Sequence, residues 1–121
     1  MTTVLVVDGA NVVGATPDGW WNDRAGAARR LHERLLVADT AYDEVVLVLE
    51  GGAKGGVSAG EDLHVTTVHA PRDGDRCIVG VVEEAAAACQ VTVVTADRAL
   101  RGAVEHLGAT VMSPSWLLDL L

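Results

Sequence analysis

Four acidic residues stand where a fold could gather them. Asp8 directly follows the apolar run Val4–Val7, and Glu50 directly follows Val45–Leu49. Asp97 lies two residues beyond the run Val91–Thr95. Asp75 precedes Ile78 and Val82 by three and seven residues, offsets that put it on the apolar face of a helix, in the first turn. Asp97 has the same relation to Leu100 and Val104. Carboxylates brought together raise one another's pKa, and burial raises it further. A divalent cation removes that penalty, and hard oxygen ligands around an open site suit Mg2+ or Mn2+. A metal held this way commonly activates water and clamps phosphate oxygens, so phosphodiester hydrolysis is the first reaction class to consider. Each acid also has a plain structural reading. Asp8-Gly9 reads as a turn, Asp97 and Asp73 as helix caps, Asp75 as a first-turn residue, and Glu50 as a solvated strand end.

The elements that would position these acids alternate along the chain. Val4–Val7 and Val45–Leu49 are continuous apolar, β-branched runs, the pattern of strands buried on both faces. Leu63–Val68 alternates and reads as a strand nearer an edge; Val91–Thr95 and Ala109–Met112 complete five strands. Helical periods cover Asp23–Ala38, Asp75–Cys89 and Asp97–Leu107, the last stopped by Gly108. Ser113 as cap and Pro114 at the first position open a final short helix through Leu120. Gly51–Gly60 reads as a mobile loop. Alternating strands and helices argue a single α/β domain over residues 1–121, a three-layer sandwich around a parallel sheet. In such a sheet the acids following the strands share one edge, where ligands of open α/β sheets bind.

Composition bounds the rest. The 121 residues are 50% hydrophobic and 21% charged, which excludes disorder. Apolar runs break well before the roughly 18 residues of a membrane span, and no signal-peptide pattern opens the chain, so no membrane role and a cytoplasmic location are expected. The net charge of −8 makes a poor generic nucleic-acid binder, since that affinity comes from Lys and Arg. Bound cations or a local Arg patch would have to offset it. Arg24, Arg29, Arg30 and Arg34 supply one candidate patch; a solvated face paired with Asp23 and Glu33 is the other reading. Cys77 and Cys89, if on one helix, lie roughly 18 Å apart and cannot pair.

At this point the residues resemble a family. Val6–Gly14 (VDGANVVG after the first Val) looks like the opening segment of NYN domains of the YacP-like kind, a branch of the PIN-like nucleases. Val46–Gly51 resembles their second strand, Gly74–Val79 their "G/A-D-x-x-I" helix start, and Val93–Leu100 their "VVT-S/A-D-R-x-L" segment. The resemblance spans nearly the whole chain in order. It implies a five-stranded parallel sheet in the order 3-2-1-4-5 and metal-dependent cleavage of RNA. Carried over, Asp8, Asp75 and Asp97 match metal-binding acids, and Asn11 and Thr95 match polar residues of the site. Two departures stand out: Glu50 replaces the usual Asp, and Arg76 replaces an acid common beside the one matching Asp75. A catalytically degenerate RNA- or protein-binding module on the same fold is the competing reading, and the sequence leaves the oligomeric state, homodimer included, open.

Trp20 and Trp21, in the segment after the Asp8 edge, could stack bases of single-stranded RNA, or cover the edge of the core. Arg98, beside Asp97, and Arg72 flank the proposed site as phosphate contacts. The four histidines have no metal-ligand spacing, and Gly51–Gly56 lacks the Gly-Lys-Ser/Thr ending of a P-loop. Other classes that end a first strand in acids fail: Asp8 has no acidic neighbour, and position 10 is Ala.

Overall fold

The computed structural model describes residues 1–121. Strand β1 (Thr2–Asp8) runs up the middle of the sheet and is capped by a short helix, α1 (Gly9–Gly14). A 3-10 turn at Trp20–Asn22 leads into α2 (Arg24–Val37), followed by β2 (Glu44–Leu49). A 3-10 helix at Gly51–Gly56 precedes the hairpin of β3 (Gly60–Asp62) and β4 (Val65–His69). Helix α3 (Gly74–Ala86), β5 (Cys89–Val94), α4 (Arg98–His106), β6 (Thr110–Met112) and α5 (Pro114–Leu120) complete the chain. No helix is long and apolar enough to cross a membrane.

The sheet has six strands in the order β3-β4-β2-β1-β5-β6. The five from β4 to β6 are parallel and reproduce the expected 3-2-1-4-5 order. The expectation of a purely parallel, five-stranded sheet is corrected by β3, which pairs antiparallel with β4 on the outer edge. Its residues Gly60, Glu61 and Asp62 are all exposed, so no apolar pattern announces it. Two residues, Leu63 and His64, turn the hairpin, with Leu63 in the left-handed region at φ 53°. The third parallel strand therefore starts at Val65 rather than Leu63.

Side-chain alternation along the strands divides two cores. Leu5, Val7, Val45, Leu47 and Leu49 point to the face covered by α1, α2 and α5. Val4, Val6, Val48, Val91 and Val93 point to the face covered by α3 and α4, where Ile78, Val82, Leu100 and Val104 meet them. The core is aliphatic, as a chain without Phe requires.

Three further expectations change. Gly51–Gly56 is not a loose loop: it packs on α2, where a Cβ at Gly56 would collide with the Ala25 carbonyl, and Lys54 Nζ donates a 2.9 Å hydrogen bond to the Ala70 carbonyl. Helix α3 ends at Ala86, and Cys89 opens β5 opposite Thr2. The two cysteines therefore sit on different elements, both free and half-buried; helix propensity of the Ala run yields to strand pairing. His64 lies before β4, not on it, and holds the Leu35 carbonyl, while His69 holds that of Val57.

Candidate functional site

The same alternation that builds the α3/α4 core decides where the acids point. Asp8 follows Val4 and Val6 in parity, Glu50 follows Val46 and Val48, and Thr95 follows Val91 and Val93. All three therefore face α3 and α4 at the carboxyl edge of the sheet. Register agrees, because Asp8 pairs with Val48 and Val7 with Val94. Helices α3 and α4 begin over this edge and carry Asp75 and Asp97 to it.

Asp8 is the buried member, 4% exposed. Its Oδ2 accepts from Asn11 Nδ2 at 2.6 Å and from Thr95 Oγ1 at 2.8 Å, and its Oδ1 accepts a longer bond from the Asn11 amide at 3.4 Å. Burial pushes its pKa up; the Thr95 and Asn11 hydrogen bonds oppose this, and Glu50 adds to it. Asn11 Oδ1 in turn accepts from the Ala96 amide, and the Thr95 hydroxyl accepts from the Asp97 amide at 3.1 Å. One polar chain thus links the ends of β1 and β5 to the start of α4.

The other carboxylates each have a partner except one. Asp97 caps α4 by accepting from the Leu100 amide at 2.9 Å. Glu50 Oε2 accepts from the Gly74 amide at 2.6 Å, which fixes β2's end to the start of α3. Asp73, as anticipated, caps α3 through the Arg76 amide. Asp75 has no hydrogen bond; desolvation raises its pKa, and Asp97, Asp8, Asp73 and Glu50 raise it further by repulsion. None of these five acids forms an ion pair, for the chain's ion pairs are Arg30–Asp18 and Arg101–Glu105.

As the side chains stand, no three His, Cys, Asp or Glu residues form a group able to hold a metal ion. Asp97 and Glu50 each commit one oxygen to a helix amide, and Asp8 is held by Asn11 and Thr95. The chemistry of the donor set nevertheless fits a hard divalent cation. It consists of oxygens only, one of them desolvated, one without any partner, and none neutralised by Lys or Arg.

The aromatic and basic candidates divide. Trp20 is half-buried, packs on the α1/α2/α5 core and lies under the Arg24 guanidinium, 5.1 Å from the ring centroid. Trp21 is 61% exposed and meets Trp20 edge-on. Arg98 is exposed with no polar partner, and Arg30 is spent on Asp18 rather than on Asp23 or Glu33. Sequence reasoning missed the Glu50–Gly74 link, the Lys54–Ala70 tie and the pairing of Arg24 with Trp20. No spacing signalled the last, because the non-helical Asp23 separates Trp20 from the helix that Arg24 opens.

A parallel α/β sheet carrying acids at its carboxyl edge, each introduced by a strand end or a helix start, places them where open α/β sheets bind their ligands. The chain matches the YacP-like NYN domain over residues 5–121, and it belongs to that family, within the PIN-like nuclease superfamily. The crystal structure of a Trp-to-Leu mutant of Rae1 (YacP) from Bacillus subtilis is similar to it, with a TM-score of 0.73 and 24% identity over 98% of this chain and 74% of that one. A second Rae1 (YacP) structure from Bacillus subtilis gives 0.68 and 22%, over 96% and 71%. At these identities the likeness shows the fold. No curated protein matches the chain.

Proposed function

We propose that this domain, residues 1–121, is a metal-dependent endoribonuclease acting on single-stranded RNA in the cytoplasm. The observation that carries the reading is the unneutralised acid set around Asp8: a buried carboxylate facing Asp75, Asp97 and Glu50 with no cationic side chain paired to any of them. Mg2+ or Mn2+ bound there would supply positive charge to phosphate oxygens and make water more acidic. Asp8, Asp75, Asp97 and Glu50 would hold it. Asn11 and Thr95 fix the Asp8 carboxylate, so its orientation is set before any ligand arrives. Asp75, having no partner to give up, is the acid freest to turn toward Asp8. Trp20, Trp21 and Arg98 are offered to the RNA.

Labelled single-stranded RNA incubated with Mn2+ should be cleaved by the wild type, and neither in EDTA nor by Asp8→Asn. Equal inertness of both proteins over many RNAs would sink the enzyme. One observation favours the second reading, a binding module on the same fold: no three acids are preassembled for an ion. Calorimetry separates the two, because the nuclease binds Mn2+ at the carboxylates and the module binds none.

A further inference from the structure

A cavity of about 400 Å3 opens beside the acidic edge, on the α1/α2 side of the sheet. That volume is at the small end of the roughly 300–1,000 Å3 of small-ligand sites. Trp20 and Arg24 form one wall, Gly51 and Gly52 another, and Glu50 and Arg72 stand where the cavity meets the carboxylates. We propose that this cavity is the subsite for one unstacked nucleobase of the RNA strand, the base seated against the Trp20–Arg24 pair and its phosphate met by Arg72. The proposal rests on the nuclease reading and deepens it.

Three features carry it. First, a flat indole lies with a guanidinium 5.1 Å from its centroid, and unpaired bases stack on both kinds of plane without regard to sequence. Second, the chain has 17 acidic and 9 basic residues, yet neither Arg24 nor Arg72 is in an ion pair. Two guanidiniums without ion-pair partners stand on one cavity beside the Glu50 and Asp73 carboxylates that also line it, and they offer a phosphate two cationic contacts in a net −8 protein. Third, Glu50 belongs to both places: it lines the cavity, and its charge is felt by Asp8 and Asp75. A nucleotide in the cavity is therefore next to the acid set. The glycines keep the space open. Gly51 holds φ 55°, where other residues are strained, and a Cβ at Gly52 would lie 3.6 Å from Arg24 Cδ.

The test is a titration of Asp8→Asn protein with an adenosine trinucleotide RNA in Mg2+, followed by the indole N–H signals. The Trp20 signal should move and saturate, while that of Trp116, which packs edge-on against Tyr42, stays. Trp20→Leu and Arg72→Ala should each weaken binding about tenfold, the order of one lost stacking or charged contact. Trp20→Phe should retain affinity, and Gly52→Val should lose it with no change of charge. A stationary Trp20 signal with RNA bound elsewhere, no binding at all, or full affinity in Trp20→Leu and Arg72→Ala overturns the subsite. A Trp20 response in a wild-type protein that cleaves no RNA supports the subsite and counts against the nuclease.

Discussion

The Thr95 hydroxyl donates a 2.8 Å hydrogen bond to Asp8 Oδ2 across 87 positions of sequence, and accepts one from the Asp97 amide. A single oxygen therefore sets the distance between the end of β1 and the cap of α4. Thr95→Val removes both bonds while keeping the shape, leaving a buried carboxylate with one donor fewer. Stability at neutral pH should fall by about 1–3 kcal/mol in urea unfolding, with Thr95→Ser much less affected. Because the Thr95 bond lowers the Asp8 pKa, its loss should cost less in acid, where Asp8 is protonated. An equal cost at both pH values would refute this.

Asp8 itself should weaken the fold at neutral pH. Its folded pKa lies above the ordinary carboxylate value, mainly through burial. The folded state then binds the proton more tightly than the unfolded state. Stability is highest below the unfolded pKa and is lost as pH rises through the folded one. Asp8→Asn can keep the two short bonds by turning its amide oxygen to Asn11 Nδ2 and Thr95. The variant should match the wild type at low pH and exceed it at pH 7, measured by denaturant midpoints across the range. A variant less stable than wild type at neutral pH would contradict the desolvation argument.

Cation binding should show as stability even where no cleavage is followed. An ion that binds only the folded chain raises its melting temperature with concentration. Mn2+ should raise the wild-type Tm, and the rise should shrink in Asp75→Asn and vanish in Asp8→Asn. Equal rises in all three would place the ion elsewhere.

Gly9 is a packing requirement. A Cβ there would sit 2.6 Å from the Val48 carbonyl and 2.8 Å from Leu49 Cδ2, because α1 starts directly against β2. Gly9→Ala should cost about 1–3 kcal/mol. Gly14, at the other end of α1, has nothing within 4 Å of its Cβ position, and Gly14→Ala should be neutral or slightly stabilising. Thermal unfolding of the two variants tests the contrast.

The central strands were legible because strands buried on both faces must be apolar throughout, as Val4–Val7 and Val45–Leu49 are; the strand order came from the family resemblance and not from these runs. The edge at which Asp8 and Glu50 stand was legible too, since each directly follows the apolar run of a buried parallel strand. Helix α1 was not. Its six residues are too few to show a period, and it is held by the Asp8 cap and by packing rather than propensity. The hydrogen bond from Gly74 to Glu50 depends on how close α3 is brought to β2, a tertiary distance that neither residue encodes. The side-chain arrangement of the acids was also hidden: sequence places carboxylates at an edge but does not set the distances between them.

The short outer strand β3 has a bearing on self-association. It puts Glu61 and Asp62, both exposed, along the border where another chain would otherwise add by main-chain pairing. Two copies meeting there would bring like charges into opposition, so lateral growth of the sheet is blocked on that flank. Any strand-to-strand association is left to the opposite flank, the three residues Thr110–Met112.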